Sequence, residues 1–520
     1  MLAGYVSDEN YAALADVQVE LRRGGQICAV VRSAPSGAIL VDVPEGEYEV
    51  LLARDGFGSK RVRTALAADR PRHFRLLANG LLGYAWPKWC RGGEEVEFRV
   101  HSVEPYKLLL YRHGYERLLV RSVGWYDDHG PRATMQTLPD GHFVETGVGW
   151  DNGNRGVHRQ RIVAPVASGL YYFHAHTRAG RFTSFPLVVA PPQPSAAVAV
   201  LASTNTWNAY NPFGGRSNYI LAGGMPAEPI VNSKSDLPRY NLPQYGEWEA
   251  AEFPPLSFDR PEPANQVQPD EHATDPIEGR SECHLAPAEW RLLAWLERAG
   301  VAYDLYADAH LDSGALPLDA YRVLVLGCHP EYWTKAMYRR TKQWVDECGG
   351  RLMYLGGNGI NCAVELADDG TMRCLNHWEG GRESRFATQL ESEANLLGVI
   401  YSDPGAMTSA PYEVLLPEHW VFAGTGLKHG DHFGLRTLHE RYGDGASGHE
   451  TDKVSPSSPP QVTVLAKGLN PDDGGAELVY YETPSGGAVF SAGSITYATA
   501  LLCDSQVSQI TANVLRRWLA

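Results

Sequence analysis

Residues 321–334 read YRVLVLGCHPEYWT and give the clearest indication of the fold. The first seven of them are apolar apart from Arg322, as expected of a strand that is buried on both faces. Thr334 then suits the N-cap of a helix that we expect to run to Cys348. A second apolar run follows at residues 351–355. A strand, a helix and a strand in this order predict a parallel sheet with right-handed crossovers.

The same alternation extends over residues 192–520, which we predict to be one α/β domain with a mainly parallel sheet. Residues 197–202 read AVAVLA and predict another buried strand. Residues 287–298 carry apolar side chains at helical spacing, and Gly300 follows as a stop. Residues 225–285 are rich in Pro, Asp and Glu, and we expect them to form a long surface excursion or lid.

The chain before this domain predicts two β-sandwiches. In residues 1–76, VQVEL and GEYEVLL are strand-like runs separated by turn residues, and the segment resembles the carboxypeptidase regulatory-like module. Residues 77–191 contain the strand-like runs EVEFRV and GLYYFHAH and predict an immunoglobulin-like β-sandwich. The sequence PPQP then marks a linker. The predicted fold class is therefore a multidomain protein with two N-terminal β-sandwiches and a C-terminal α/β domain.

Composition limits the partners of the protein. The formal charge of −15 argues against nucleic acid and against an anionic membrane surface, because both favour clustered Lys and Arg. We find no apolar run long enough for a spanning helix and no signal peptide at the start. The 8 cysteines form no C-x-x-C pair, so neither a zinc knuckle nor a disulfide framework is indicated. A reducing, cytoplasmic location fits these features.

Polar residues follow three of the predicted strands directly. They read TNTWNAYNPFGG after the first strand, CHPEYW after the second and GGNGIN after the third. Ligands of open parallel sheets bind beyond the carboxyl ends of the strands. Three such segments at one edge of the sheet therefore predict a ligand-binding or catalytic site.

The residue types in these segments limit the chemistry. His329 and Glu331 are two residues apart, so on extended backbone their side chains point the same way. Glu331 is a candidate metal ligand or general base, and its alternative role is to cap the helix that begins near Thr334. Tyr210 is a candidate site residue or core packing. Asn358 lies in a Gly-rich loop, where it either contacts a ligand or only forms a left-handed turn.

Cys328 offers a different mechanism. A cysteine between a strand and a helix occupies the position of a nucleophile elbow. Adjacent residues on a strand point to opposite faces, however, so His329 is badly placed to act as its base. A buried, unreactive cysteine is the alternative that we favour.

At these residues the sequence resembles the large-subunit family of N,N-dimethylformamidase over about residues 80–520. The similarity rests on NTWNAYN with the following Gly-Gly, on WLERAG, on HPEYWT and on GGNG. The resemblance implies a fold like that of class I glutamine amidotransferases that does not use the cysteine nucleophile. It also implies one iron ion held by two tyrosinates and a glutamate, and hydrolysis of an amide.

Carried onto this sequence, the resemblance makes Tyr210 one tyrosinate ligand and Glu331 the glutamate ligand. For the second tyrosinate, Tyr240 is the first choice and Tyr245 the second. His329 would be a catalytic neighbour of the metal, and Asn358 would orient the substrate or water. The implied cofactor is one Fe³⁺ per chain, because phenolate oxygens at neutral pH require a hard, strongly Lewis-acidic ion.

The first functional hypothesis is an iron-dependent hydrolase of a small amide, in which metal-activated water attacks the carbonyl. The alternatives are a cysteine-dependent amidotransferase-like hydrolase using Cys328 and a non-catalytic binding or scaffold protein. Residues 1–76 differ from the lectin-like N-terminal part of the family's large subunit, so the substrate is not assumed to be dimethylformamide. We also predict a homo-oligomer.

Overall fold

The computed structural model describes residues 1–126, 133–150, 160–231, 252–377, 382–441 and 443–520. Within them, the N-terminal segment forms two sheets. The four-stranded sheet has the order Gln26–Arg32, Gln18–Arg23, Gly46–Ala53 and Lys60–Leu66, and the three-stranded sheet has the order Ala38–Leu40, Leu2–Ser7 and Arg72–Arg75. Alternating apolar residues of both sheets, such as Val19, Val50 and Phe74, share one core. The predicted β-rich N-terminal segment is confirmed, and its relation to the carboxypeptidase module stays a prediction.

A second pair of sheets follows. The three-stranded sheet has the order Arg161–Val163, Glu95–Ser102 and Leu81–Trp86, and the five-stranded sheet has the order Arg117–Tyr126, Tyr106–His113, Gly169–Thr177, Phe182–Ala190 and Trp89–Arg91. The two sheets enclose a common core that includes Phe98, Leu108 and Phe173. This part of the chain is β-rich, as predicted. The immunoglobulin-like topology and the domain boundaries remain predictions.

The C-terminal part is organised around a nine-stranded sheet. Its strands lie in the order Tyr303–Ala307, Val198–Ala202, Val323–Cys328, Arg351–Gly356, Ala488–Ser491, Glu477–Glu482, Thr463–Gly468, Tyr412–Val414 and His432–Phe433. Neighbours among the first five strands are parallel, and the remaining pairs are antiparallel. The prediction of a mainly parallel sheet is therefore correct only for the half that carries the candidate site, and the sheet as a whole is mixed. Strands that follow each other through a short turn cannot be parallel, because a parallel crossover requires a dozen or more residues.

Helices and smaller sheets surround this sheet. The α-helices are Phe143–Thr146, Thr204–Tyr210, Arg280–His284, Ala286–Arg298, Asp308–Asp312, Lys335–Glu347, Arg385–Gln389, Ala394–Leu397, Ile495–Ala500 and Ser505–Leu519, with 3₁₀ turns at Pro263–Asn265, Leu318–Ala320 and Trp420–Phe422. A four-stranded sheet contains Leu256–Ser257, Thr371–Leu375, Cys362–Leu366 and Tyr332–Trp333, and two strand pairs join Ile400–Ser402 to Thr451–Lys453 and Ser409–Ala410 to Ser447–Gly448. Within the described ranges, no helix is both long and apolar enough to cross a membrane.

The helix predicted after the central strand is confirmed. It covers Lys335–Glu347, and the Thr334 hydroxyl accepts a hydrogen bond from the Met337 amide at 3.1 Å. Thr334 thus satisfies one of the amides that a helix leaves unpaired at its start. Glu331 is therefore not the N-cap of this helix, and the capping role that the sequence allowed for it is filled by Thr334.

The described part of the predicted surface excursion, residues 252–285, alternates between buried and solvent-accessible residues. Its apolar residues Phe253, Phe258 and Val267 belong to the main core. The acidic Glu262 is buried as well, and it pairs with the buried Lys88 at 3.0 Å. Its apolar residues and this ion pair therefore hold the segment against the core, while other acidic residues, such as Glu278 and Glu282, are exposed.

The Lys88–Glu262 ion pair connects the second pair of sheets to this segment, and we expect it to stabilise the fold. Both side chains are at most 8% exposed, and Lys88 also donates to the Arg260 carbonyl at 2.7 Å. Glu262→Gln should lower the free energy of unfolding by about 3 kcal/mol, because it leaves a buried ammonium without its counter-charge. The measurement is the shift of the urea unfolding transition followed by tryptophan fluorescence.

The matched control is Glu252→Gln, which breaks the Glu252–Arg373 pair. Those side chains are 59% and 51% exposed. An exposed pair contributes at most about 1 kcal/mol, so this variant should unfold almost as the unmodified protein does. Equal effects of the two variants would contradict the structural role given to Lys88 and Glu262.

Candidate active site

The three predicted polar segments meet at the carboxyl ends of the parallel strands. Tyr210 is the last residue of the helix that begins just after Val198–Ala202. His329 and Glu331 follow the end of Val323–Cys328, and the Gly-rich loop follows Arg351–Gly356. These neighbouring strands pair in parallel, so their ends lie at the same edge of the sheet.

Tyr210, His329 and Glu331 converge on a single point. The Nε2 atom of His329 lies 3.1 Å from the Tyr210 hydroxyl and 2.9 Å from Glu331 Oε2. The His329 and Glu331 side chains therefore point the same way, as their spacing predicted. All three residues are buried. A phenol oxygen, a carboxylate oxygen and an imidazole nitrogen thus lie close together in a region that is shielded from solvent.

The orientation of His329 is fixed by its second ring nitrogen. Its Nδ1 atom lies 3.0 Å from the carbonyl oxygen of Gly357. A carbonyl can only accept a hydrogen bond, so Nδ1 carries a proton and donates it. In the neutral ring, Nε2 is then the acceptor that faces Tyr210 and Glu331.

Asn358 joins the site through two acidic residues that sequence reasoning missed. Its backbone adopts the left-handed conformation, with φ of 50°, as a turn residue would. Its backbone amide donates to Asp452 at 2.8 Å, and its side-chain Nδ2 donates to Glu450 at 2.9 Å. Glu450 Oε2 is also 3.7 Å from His329 Nε2. Asn358 thus has the backbone conformation of a turn residue, and its side chain also contacts Glu450 beside His329.

Tyr219 is another residue that the sequence did not single out. Its hydroxyl donates a short hydrogen bond to Glu331 Oε2 and accepts one from the Tyr332 hydroxyl at 2.9 Å. The Tyr219 ring lies against that of Tyr210, with centroids 3.9 Å apart and the two planes tilted by 37°. Nothing in the local sequence around Tyr219 distinguishes it from a core tyrosine. Tyr240 and Tyr245, the predicted second ligands, lie outside the described residues.

The charges of the site are coupled. Burial by itself lowers the pKa of His329, but the nearby carboxylates of Glu450 and Glu331 outweigh it and raise that pKa to about 8. Burial alone would raise the pKa of Glu331, and the hydrogen bonds from His329 and Tyr219 lower it below its ordinary value. Without a bound ion, these directions favour an imidazolium–carboxylate pair inside the protein.

Three further histidines adjoin this cluster. His284, His439 and His449 are fully buried, and one ring nitrogen from each lies within 4.8 Å of the others. The ring of His284 is 4.6 Å from that of His329 and 5.1 Å from that of Tyr210, between centroids. His284 lies far from His439 and His449 in the sequence, so no local motif indicates the cluster, and only the folded chain brings the three together.

Cys328 is in the strained position expected of an elbow, but its surroundings do not activate it. Its φ is 57°, and its side chain is fully buried in the main core. Burial, the largest contribution, raises the pKa of the Cys328 thiol well above its ordinary value. Because the thiolate is the nucleophile, a raised pKa suppresses reactivity.

Comparison with known proteins identifies the class. The family model described as N,N-dimethylformamidase beta subunit-like, C-terminal, matches residues 109–509. The chain belongs to this family. It is 28% identical to the N,N-dimethylformamidase beta subunit of Alcaligenes sp, a match that covers 45% of this chain and 37% of that protein. The N,N-dimethylformamidase beta subunit of Paracoccus aminophilus matches with the same identity and the same coverage. The matched region thus spans little more than a third of the length of these curated relatives.

The burial of Cys328 predicts its behaviour toward alkylating reagents. In the native protein, iodoacetamide should leave Cys328 unmodified while it modifies Cys348, which is exposed and lies at the end of the next helix. Peptide mass spectrometry after brief labelling measures both sites in one sample. Labelling of Cys328 at a rate similar to that of Cys348 would contradict this prediction and would support the cysteine-dependent mechanism.

Proposed function

We propose that the protein is an iron-dependent hydrolase that cleaves an amide C–N bond with water. The observation that carries the proposal is the convergence of Tyr210 and Glu331 on His329 Nε2, at 3.1 and 2.9 Å, at the carboxyl ends of the parallel strands. The chain also belongs to a family whose curated members are named as dimethylformamidase subunits. The substrate class is a small amide, and dimethylformamide itself is not part of the proposal.

The donor atoms present suit ferric iron. A phenolate and a carboxylate are hard oxygen ligands, and both lie beside the same imidazole nitrogen. Tyr210 and Glu331 would hold the ion together with a second tyrosine. Tyr240 remains the first choice for that ligand and Tyr245 the second, and Tyr219 is a rival because it already contacts Glu331. Bound iron would supply Lewis acidity toward a carbonyl oxygen or a water molecule.

The protein's own residues would manage the proton and the substrate. A cation bound beside His329 would disfavour the imidazolium, and Nε2 of the neutral ring would then be positioned to accept a proton from attacking water, because Nδ1 is held by the Gly357 carbonyl. The Oδ1 atom of Asn358 is buried and has no hydrogen-bond partner among the described residues. It can therefore accept a hydrogen bond from a substrate N–H group or from water, while its Nδ2 is fixed by Glu450.

The two other hypotheses remain distinguishable. The burial and raised pKa of Cys328 oppose the cysteine mechanism. The scaffold hypothesis predicts that purified protein binds no iron and hydrolyses no amide. We also propose that the C-terminal domain resembles class I glutamine amidotransferases in fold. The protein is further proposed to be a cytoplasmic homo-oligomer.

The iron ligands can be tested by metal analysis of untagged protein. We expect about one iron per chain and a visible tyrosinate charge-transfer colour, with both lost in Tyr210→Phe and in Glu331→Gln. Tyr219→Phe, Tyr240→Phe and Tyr245→Phe identify the second ligand. The control is Tyr412→Phe, which removes a buried hydroxyl that donates to the Ala492 carbonyl. Unchanged iron in both Tyr210→Phe and Glu331→Gln would show that the ligand assignment is wrong.

The proton-transfer role of His329 can be tested with a screen of small amides. In His329→Gln we expect kcat to fall by about 10²- to 10⁴-fold, because a general base is removed, while KM and iron content change little. His113→Gln is the matched control, since His113 is a buried histidine in the five-stranded sheet. If iron content falls in parallel with kcat, His329 is a ligand of the metal and not a general base.

A further inference from the structure

The three histidines His284, His439 and His449 form a cluster that the proposed reaction does not use. Each is 0% exposed. The rings of His284 and His449 have centroids 4.4 Å apart, and those of His439 and His449 are 5.3 Å apart. One nitrogen from each lies within 4.8 Å of the other two. Three imidazole nitrogens thus face each other in the interior.

The backbone holds these histidines in place. The Ile277 amide donates to the Leu438 carbonyl at 2.7 Å, and the Glu440 amide donates to the Ile277 carbonyl at 2.9 Å. These bonds fix the segment of His439 beside the chain that leads into the helix of His284. His449 has φ of 62°, an unfavourable conformation that a non-glycine residue keeps only where its surroundings impose it.

Packing alone explains this arrangement poorly. Neither ring nitrogen of His439 has a hydrogen-bond partner among the described residues. A buried polar atom without a partner costs about 1–3 kcal/mol, so polar side chains in protein cores are normally paired. A ligand that accepts the lone pair of His439 would satisfy one of these two nitrogens and remove its share of the cost.

We propose that His284, His439 and His449 bind a divalent first-row metal ion such as Zn²⁺. Zinc–nitrogen bonds of about 2.0–2.1 Å place tetrahedral ligand atoms roughly 3.4 Å apart, so small ring rotations close the cluster around the ion. Three protein ligands leave the fourth position open for water or another small ligand. The ion would connect three separate segments beside His329.

This site differs in chemistry from the proposed iron site. Its donors are imidazole nitrogens, which suit zinc, nickel, copper and ferrous iron, whereas Tyr210 and Glu331 offer hard oxygens. The positive charge of Arg441 acts on His439 and opposes a cation there. Glu450 directly follows His449 and brings a negative charge into the same region, where it acts on His329.

The test uses the full-length chain with the iron ligands removed. The Tyr210→Phe/Glu331→Gln protein is treated with a chelator and titrated with Co²⁺, and binding is followed by visible d–d absorption and by equilibrium dialysis. We expect one Co²⁺ per chain. Adding His439→Gln should weaken binding more than about 100-fold, because removal of a group that only orients a ligand already costs about 10- to 100-fold. Adding His113→Gln, a buried histidine outside the cluster, should leave binding unchanged.

Three results would overturn the proposal: no Co²⁺ binding by the parent double variant, equal binding by the His439→Gln protein, or an equal loss in the His113→Gln control. If the His439→Gln protein does not fold, X-ray absorption spectroscopy of the zinc-loaded Tyr210→Phe/Glu331→Gln protein identifies the ligands of the ion. Scattering from three imidazoles supports the site, and an oxygen-only shell refutes it. Because the iron ligands are absent throughout, the result is independent of whether the iron proposal is correct.

Discussion

The 2.9 Å contact between His329 and Glu331 is the interaction on which the site depends. Both side chains are nearly inaccessible to solvent, and moving charged groups out of water costs several kcal/mol per ion unless they are paired. The pairing is reinforced by Tyr219 on the carboxylate and by the Gly357 carbonyl on the imidazole. Tyr210 then adds its hydroxyl at the same nitrogen.

The rest of the chain encloses this pair. The fully buried Arg75 of the N-terminal segment donates to the Gly214 carbonyl at 2.9 Å, in the loop just after Tyr210. Gly214 and Gly215 have φ of 103° and 95°, and side chains at these positions would collide with Val144 and Tyr11. The Gly-Gly pair is therefore where the N-terminal sheets pack against the wall of the site. Among the described residues, the β-rich segments thus contribute to the enclosure, while Tyr210, His329, Glu331 and Asn358 all come from the C-terminal part of the chain.

Much of the site could be predicted because its first members follow strand ends. Alternation along the backbone gave the common direction of His329 and Glu331, and parallel pairing brought them beside Tyr210 and Asn358. Glu450, Tyr219 and the three-histidine cluster belong to no local motif and could not be predicted. Tyr219 meets Glu331 across 112 residues, Glu450 meets Asn358 across 92, and His284 is distant in sequence from His439 and His449. The mixed sheet was partly predictable, since only residues 483–487 separate two of its strands. The contact of residues 252–285 with the core was not, because it depends on partners elsewhere in the chain, such as Lys88 for Glu262.

Anomalous diffraction at the iron absorption edge, from crystals of iron-loaded protein, would locate the iron relative to Tyr210 and Glu331. A peak within bonding distance of both the Tyr210 hydroxyl oxygen and a Glu331 carboxylate oxygen is the predicted result, and the density at the second tyrosine would identify that ligand. An iron peak centred instead on His284, His439 and His449, or the absence of any peak near Glu331, would contradict the proposed iron centre.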